Sequence, residues 1–224
     1  MMLILEAVLG ADDVARVRRE LQSAPWLSGK RTAGAAARGV KENLQADGAD
    51  KRVQALEHFV VDALRQHPLF DIAARPQRVS RLLFSRYEPG MTYGAHTDDA
   101  LMGGGEDKLR TDLAFTIFLA DRSTYQGGAL VVESPLGEQE IALEAGDAIL
   151  YPAGTIHQVA PVTEGARLAA VGWVQSVVAD TAKREVLFDL SRTRVRLANA
   201  GVPREDLLAL DKCVSNLLRM WAQP

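Results

Sequence analysis

The chain has 224 residues, 26 of them basic and 29 acidic, for a net charge of −3 at pH 7. Hydrophobic residues make up 47% and charged residues 25%, an ordinary globular composition that excludes global disorder. The missing basic excess argues against a nucleic-acid or anionic-membrane surface, and the length implies one domain with an appended segment.

Met1 to Gly10 has no basic leader region and carries Glu6 inside its apolar run, so it does not read as a signal peptide. No stretch reaches the roughly 18 apolar residues that a membrane span requires. The only cysteine, Cys213, allows no internal disulfide, which fits a reducing compartment. The expectation is a cytoplasmic protein.

Three zones follow in chain order. Up to about residue 75 the pattern is helical. Asp12 or Asp13 is expected to cap a helix in which Val14, Val17 and Leu21 recur at helical spacing. A second helix is predicted from about Lys51 to Gln66, with Val53, Leu56, Val60 and Leu64 on one face. Between them, Ser28 to Asp50 is rich in Gly and Ala and reads as a loop crossing the surface.

From about residue 78 to 178 the period changes. Short apolar runs (Val79–Tyr87, Leu113–Ala120, Ala129–Glu133, Glu140–Leu143, Ala148–Tyr151 and Arg167–Val178) alternate with Gly and Pro turns, which predicts an antiparallel sandwich or barrel. The loop from Asp99 to Arg110, with Gly103-Gly104-Gly105, reads as its most flexible part. From about Asp180 to Trp221 helical spacing returns. Val186, Leu187 and Leu190 form one stripe, and Leu207, Leu210, Val214, Leu217, Leu218 and Trp221 form another. The second stripe suits core packing or, alternatively, a homo-oligomer contact.

Of the four histidines, His58 and His67 fall in or beside the predicted N-terminal helix and read as surface or packing residues. His96 and His157 lie in the strand-rich zone. Asp98 follows His96 by two positions, and in an extended segment residues i and i+2 share a face, so imidazole and carboxylate can converge on one cation. His-X-Asp alone is common by chance. His157, after a Gly-Asp turn, an apolar strand and a Pro turn, would return the chain to that pair across a small barrel. Two imidazoles and one carboxylate leave open metal positions, the arrangement of non-haem Fe(II) and oxygen chemistry, although the same set holds Zn with a water.

Arg167 opens the last apolar strand. Taken alone it reads as a surface arginine opposite Glu164. With the triad it reads as an inward guanidinium that forks onto the far carboxylate of a dicarboxylate co-substrate. Two rivals to an oxygenase remain at this point. One is a barrel that binds metal or a small acid as a sensor without oxidation. The other is a Zn-dependent lyase or isomerase.

The order Tyr87-Glu88-Pro89-Gly90-Met91-Thr92-Tyr93-Gly94-Ala95-His96-Thr97-Asp98, Tyr125-Gln126-Gly127-Gly128, Gly146-Asp147, His157 and Arg167 resembles the prolyl-4-hydroxylase-type Fe(II)/2-oxoglutarate dioxygenases. More narrowly it resembles the bacterial PKHD-type hydroxylases, which are linked with iron uptake. Val40-Lys41-Glu42-Asn43-Leu44-Gln45 and Asn216-Leu217-Leu218-Arg219-Met220-Trp221 extend the likeness over nearly the whole chain.

The resemblance implies a mainly β fold of the α+β kind. A double-stranded β-helix (jelly-roll) would be flanked by N- and C-terminal helices, with a dioxygenase domain over 1–178 and a helical extension over 179–224. It places the iron on His96, Asp98 and His157 and 2-oxoglutarate on Arg167. It implies ascorbate to rescue oxidised iron, O2 as co-reactant, and release of succinate and CO2 on hydroxylation of a small-molecule or peptide substrate. Asp99 stands where the family pattern has Asn, and Gly172 where it has an aromatic. Phe118 stands near a position that carries a tyrosine hydroxyl in related enzymes, so Thr116 or Tyr87 is expected to help Arg167. Tyr87, Tyr93 and Trp173 are expected pocket walls, Gly103–Gly105 a lid, and Lys41, Asn43 and Gln45 residues of the pocket mouth.

Overall fold

A computed structural model describes residues 1–35, 37–105 and 108–223, so Glu106 and Asp107 of the expected lid loop lie outside the described residues. Helices α1 (Ala11–Gln22), α2 (Lys51–Gln66) and α3 (Pro68–Ala74) precede most of the strands, and α4 (Thr181–Asn199) and α5 (Arg204–Trp221) follow them. The boundaries of α2 match the sequence reading. Asp50 accepts a hydrogen bond from the backbone N–H of Arg52, and Val53, Leu56, Val60 and Leu64 are buried on one face. The start of α1 differs. Its N-cap is Gly10 with no side-chain cap, and Asp12 and Asp13 lie in the first turn, where carboxylates favour the positive end of the helix dipole. His67 caps α3, accepting at Nδ1 from the Leu69 N–H, with Pro68 supplying the preset first turn.

The strands form two main antiparallel sheets. The larger runs Leu3–Leu5, Ala148–Pro152, Leu113–Phe118, Arg167–Ser176, Leu83–Tyr87, Leu44–Ala46 and Trp26–Ser28, with Pro76–Val79 also paired to Arg167–Ser176. The smaller runs Gly137–Ile141, Leu130–Ser134, His157–Val159, Thr92–His96 and Lys41–Glu42. The two sheets face each other as the jelly roll that the sequence implies.

The larger sheet is covered on both faces, which explains why every residue of Leu113–Phe118 is buried. Phe115 and Ile117 pack with α1, α2 and α3 in one core. Ala114 and Phe118 face the smaller sheet with Ile149, Tyr151, Leu130 and Val132 in a second core. At roughly 25 cal/mol per Å² of buried apolar surface, each such side chain contributes about 1.5–3 kcal/mol.

Several expectations are corrected. The run Val79–Tyr87 is two strands, because residues 80–82 leave the ladder: the Ser80 N–H donates to the Trp173 carbonyl, and Leu82 turns into the core. Ser28–Asp50 is not a surface loop, since Lys41–Glu42 joins the smaller sheet and Leu44–Ala46 the larger. Val186 is 45% exposed and off the buried stripe of α4, which consists of Arg184, Leu187 and Phe188. The α5 stripe is half-buried beside α4.

Gly172 belongs to the helix-facing side of its strand, not to the site. A Cβ there would lie 2.5 Å from Phe115 Cζ and 2.8 Å from Leu82 Cδ2. The aromatic expected at this position is excluded because Phe115 already fills that space.

Candidate metal and co-substrate site

His96 ends the strand Thr92–His96 and His157 begins the adjacent strand, so the ladder sets them directly opposite one another. Asp98 completes the group. One ligand atom from each of His96, Asp98 and His157 lies within 4.8 Å of the others. The imidazole centroids are 4.4 Å apart, and His157 Nε2 is 3.9 Å from Asp98 Oδ1.

Both tautomers are set by the backbone. His96 Nδ1 lies 2.8 Å from the Gly94 carbonyl and His157 Nδ1 lies 2.9 Å from the Thr155 carbonyl. A carbonyl only accepts, so each Nδ1 carries the proton and each Nε2 keeps a free lone pair. This outer-shell arrangement orients imidazoles toward a metal.

The electrostatics fit a cation. Burial is the main cause that lowers the His96 pKa to about 4, with the neighbouring His157 adding to it. Burial also raises the Asp98 pKa, against the opposing pull of His157 and the Trp173 indole N–H. Asp98 Oδ2 and Trp173 Nε1 are nevertheless buried without a completed hydrogen bond. A divalent ion would relieve both the crowded lone pairs and the buried carboxylate.

The triad opens into a cavity of about 500 Å³ that also receives Arg167. Arg167 pairs with Tyr87 across the ladder and is 1% exposed. Its guanidinium lies 5.4 Å from the Tyr87 ring and 5.2 Å from the Phe118 ring. Nε and Nη2 have no hydrogen-bond partner, and no ion pair reaches Arg167 among the described residues. The surface reading is overturned, because Glu164 instead accepts from Gln126 Nε2 at 2.7 Å. A buried cation without an anion is costly, so this end of the cavity suits an anionic ligand.

The other expected residues divide. Tyr87, Tyr93, Trp173 and Thr116 line the cavity. Burial pushes the Tyr87 hydroxyl up to about 12, so it stays a hydrogen-bond donor. Tyr93 stacks on His96 with ring centroids 3.6 Å apart. Lys41 and Gln45 also line the cavity, but they are buried walls at 4% and 5% exposure and not mouth residues.

Asn43 is off the cavity, packed against Gly29 and beside the Tyr87 hydroxyl. Asp99 and Gly103 reach the cavity, whereas Gly104 and Gly105 are not part of its lining.

The sequence reading missed Tyr151, Arg31 and Thr32, which line the same space. Tyr151 had a signal: once Ile149 is paired with Thr116, strand alternation turns both Ile149 and Tyr151 inward. Arg31 and Thr32 sit in a 3-10 turn that has no periodicity to read.

Residues 82–175 match the 2OG-Fe(II) oxygenase superfamily. A PKHD-type hydroxylase of Synechococcus elongatus is 46% identical over 223 residues, covering 100% of both chains. The chain belongs to the PKHD-type hydroxylases. Another, from Picosynechococcus, is 48% identical over 218 residues, covering 96% of this chain and 97% of the relative. A 2OG-Fe(II) oxygenase family structure from Burkholderia pseudomallei superposes with a TM-score of 0.56 at 17% identity, over 77% of this chain and 82% of that one, and shows the shared fold.

This family is enzymatic, so the sensor and the Zn-dependent lyase or isomerase give way to an oxygenase that uses O2, iron and 2-oxoglutarate. No described helix is long and apolar enough to cross a membrane.

Proposed function

We propose that this hydroxylase inserts one oxygen atom into a C–H bond of an organic substrate while 2-oxoglutarate is oxidatively decarboxylated to succinate and CO2. The observation that carries the reading is the pair of backbone-locked imidazoles, with Asp98, in one cavity with a buried, unpaired guanidinium.

His96 Nε2, Asp98 and His157 Nε2 would hold Fe(II). Bound there, the iron supplies O2 activation, with 2-oxoglutarate as the source of two electrons. The chain's own residues do the rest. Arg167 forks onto the distal carboxylate of the co-substrate, and the Tyr87 hydroxyl, kept protonated by burial, donates to the same carboxylate. Trp173 and Tyr93 brace the ligand side chains and restrict water beside them.

Ascorbate belongs to the proposal as the reductant that returns oxidised iron to the ferrous state. So do a cytoplasmic setting, in keeping with the single Cys213, and a place in iron uptake, for which induction under iron limitation is the check.

Anaerobic addition of Fe(II) and then 2-oxoglutarate to metal-free protein is expected to give a weak visible charge-transfer band. With O2, succinate and CO2 are expected in equal amounts. Asp98→Ala should erase the band, and full colour in that variant refutes the ligand assignment.

A further inference from the structure

Besides the triad and Arg167, one more charged side chain is buried in the cavity, and the reaction as proposed leaves it unused. Lys41 is 4% exposed. Its ammonium donates one hydrogen bond, to Thr32 Oγ1 at 3.2 Å, and lies 4.7 Å from the centre of the Tyr93 ring. No ion pair reaches it among the described residues. Thr32 in turn donates to Gln45 Oε1 at 2.6 Å, and Gln45 Nε2 donates to Ser85 Oγ at 3.4 Å. Lys41, Thr32, Gln45 and Ser85 thus form one polar wall, and all four line the cavity. Exposed Arg31 continues that wall toward solvent.

Three of these wall residues, Thr32, Lys41 and Gln45, lie before residue 82, outside the segment that matches the oxygenase superfamily. The segment 82–175 contains the triad and Arg167 and accounts for the shared chemistry. The wall from the N-terminal segment lies outside that superfamily segment, in a part of the chain that the PKHD-type relatives also match.

Charge decides what it would face. A divalent ion on Asp98 leaves one positive charge, and a dianionic keto-diacid on Arg167 leaves one negative charge. These cancel, as do Arg31 and Asp99 at the rim. The Lys41 ammonium remains uncancelled inside a cavity of about 500 Å³, a volume within the usual range of small-molecule sites. A buried ammonium without an anion is unfavourable, and one carboxylate would neutralise it. Burial also holds the Lys41 pKa down at about 8, against the pull of Asp98, as fits a cation still short of a partner.

We infer that Lys41, with Thr32 and Gln45, anchors the primary substrate, and that this substrate is a small organic monoanion, with a single carboxylate and no cationic group of its own. The inference rests on the oxygenase reading above but is separable from it. The probe is a small-metabolite extract divided by ion exchange at pH 7 into an anionic fraction and a neutral-plus-cationic fraction. The readout is stimulation of 2-oxoglutarate conversion to succinate over the rate without extract.

The anionic fraction is expected to stimulate the wild-type enzyme. Lys41→Met should need about 10- to 100-fold more of it, the loss of one charged hydrogen bond. Lys41→Arg, which keeps the charge, should recover much of the response, and a thermal melt of each variant reports folding. Stimulation by the other fraction only, by neither fraction, or equally in Lys41→Met and wild type overturns the assignment. If the wild-type enzyme makes no succinate even without extract, the oxygenase reading itself fails.

Discussion

Replacing Arg167 by Met should move stability and co-substrate binding in opposite directions. Arg167 is 1% exposed, and two of its nitrogens have no hydrogen-bond partner within the protein. Each unsatisfied buried donor costs about 1–3 kcal/mol. Stacking on Tyr87 and Phe118 returns about 0.5–2 kcal/mol per ring. Met keeps most of the apolar stem volume and removes the charge.

Central values, about 4 kcal/mol for the two donors against about 2.5 kcal/mol for the two rings, leave the variant about 1–2 kcal/mol more stable in the absence of metal, a rise in melting temperature of about 2–8 °C for a chain of this size. Binding of 2-oxoglutarate should weaken, because its distal carboxylate would be buried without a counter-charge. Truncating one partner of such a pair costs about 2–5 kcal/mol, or roughly 30- to 5000-fold in affinity. Scanning calorimetry of the metal-free protein and an anaerobic titration of the Fe(II)-loaded protein read the two effects. An affinity within threefold of wild type refutes the role of Arg167, and a melting temperature lowered by several degrees refutes the claim that its guanidinium is unpaired.

Metal-free protein should titrate His96 near pH 4 by NMR. Because that value lies below the unfolded 6.5, the unfolded chain binds the proton more readily between the two. Stability should fall as pH drops from about 6.5 toward 4, and a flat melting temperature across that window contradicts the buried, neutral imidazole. Asp98→Asn should raise the melting temperature of the metal-free protein near neutral pH, since the folded-state pKa of Asp98 is raised and its charge is disfavoured there. It should also cancel the stabilisation that added divalent metal gives the wild type.

Gly172→Ala should cost about 1–3 kcal/mol in chemical denaturation, because Phe115 and Leu82 occupy the space its methyl needs. Gly128→Ala meets a backbone φ of +63° and would place a methyl 3.1 Å from Arg167 Cδ. It should weaken 2-oxoglutarate binding more than it weakens Fe(II) binding, and equal losses of both would point to general unfolding instead.

Local pattern alone determined a good deal of this protein. The helical period of Val53, Leu56, Val60 and Leu64 defines α2, since the buried face of a helix repeats along the chain itself. The two-residue step from His96 to Asp98 puts both side chains on one side of an extended segment. Arg167, at the head of a strongly apolar strand, reads as a surface residue by itself and as an inward one only together with His96, Asp98 and His157.

Tertiary structure decided the rest. The strands Lys41–Glu42 and Leu44–Ala46 are too short to show a period. Their direction comes from hydrogen-bond register with Thr92–His96 and Leu83–Tyr87, partners about 40 or more residues away. That register turns Lys41 and Gln45 into the cavity and leaves Asn43, between them, outside it. The tautomers of His96 and His157 likewise depend on two backbone carbonyls whose positions exist only once the sheets have closed.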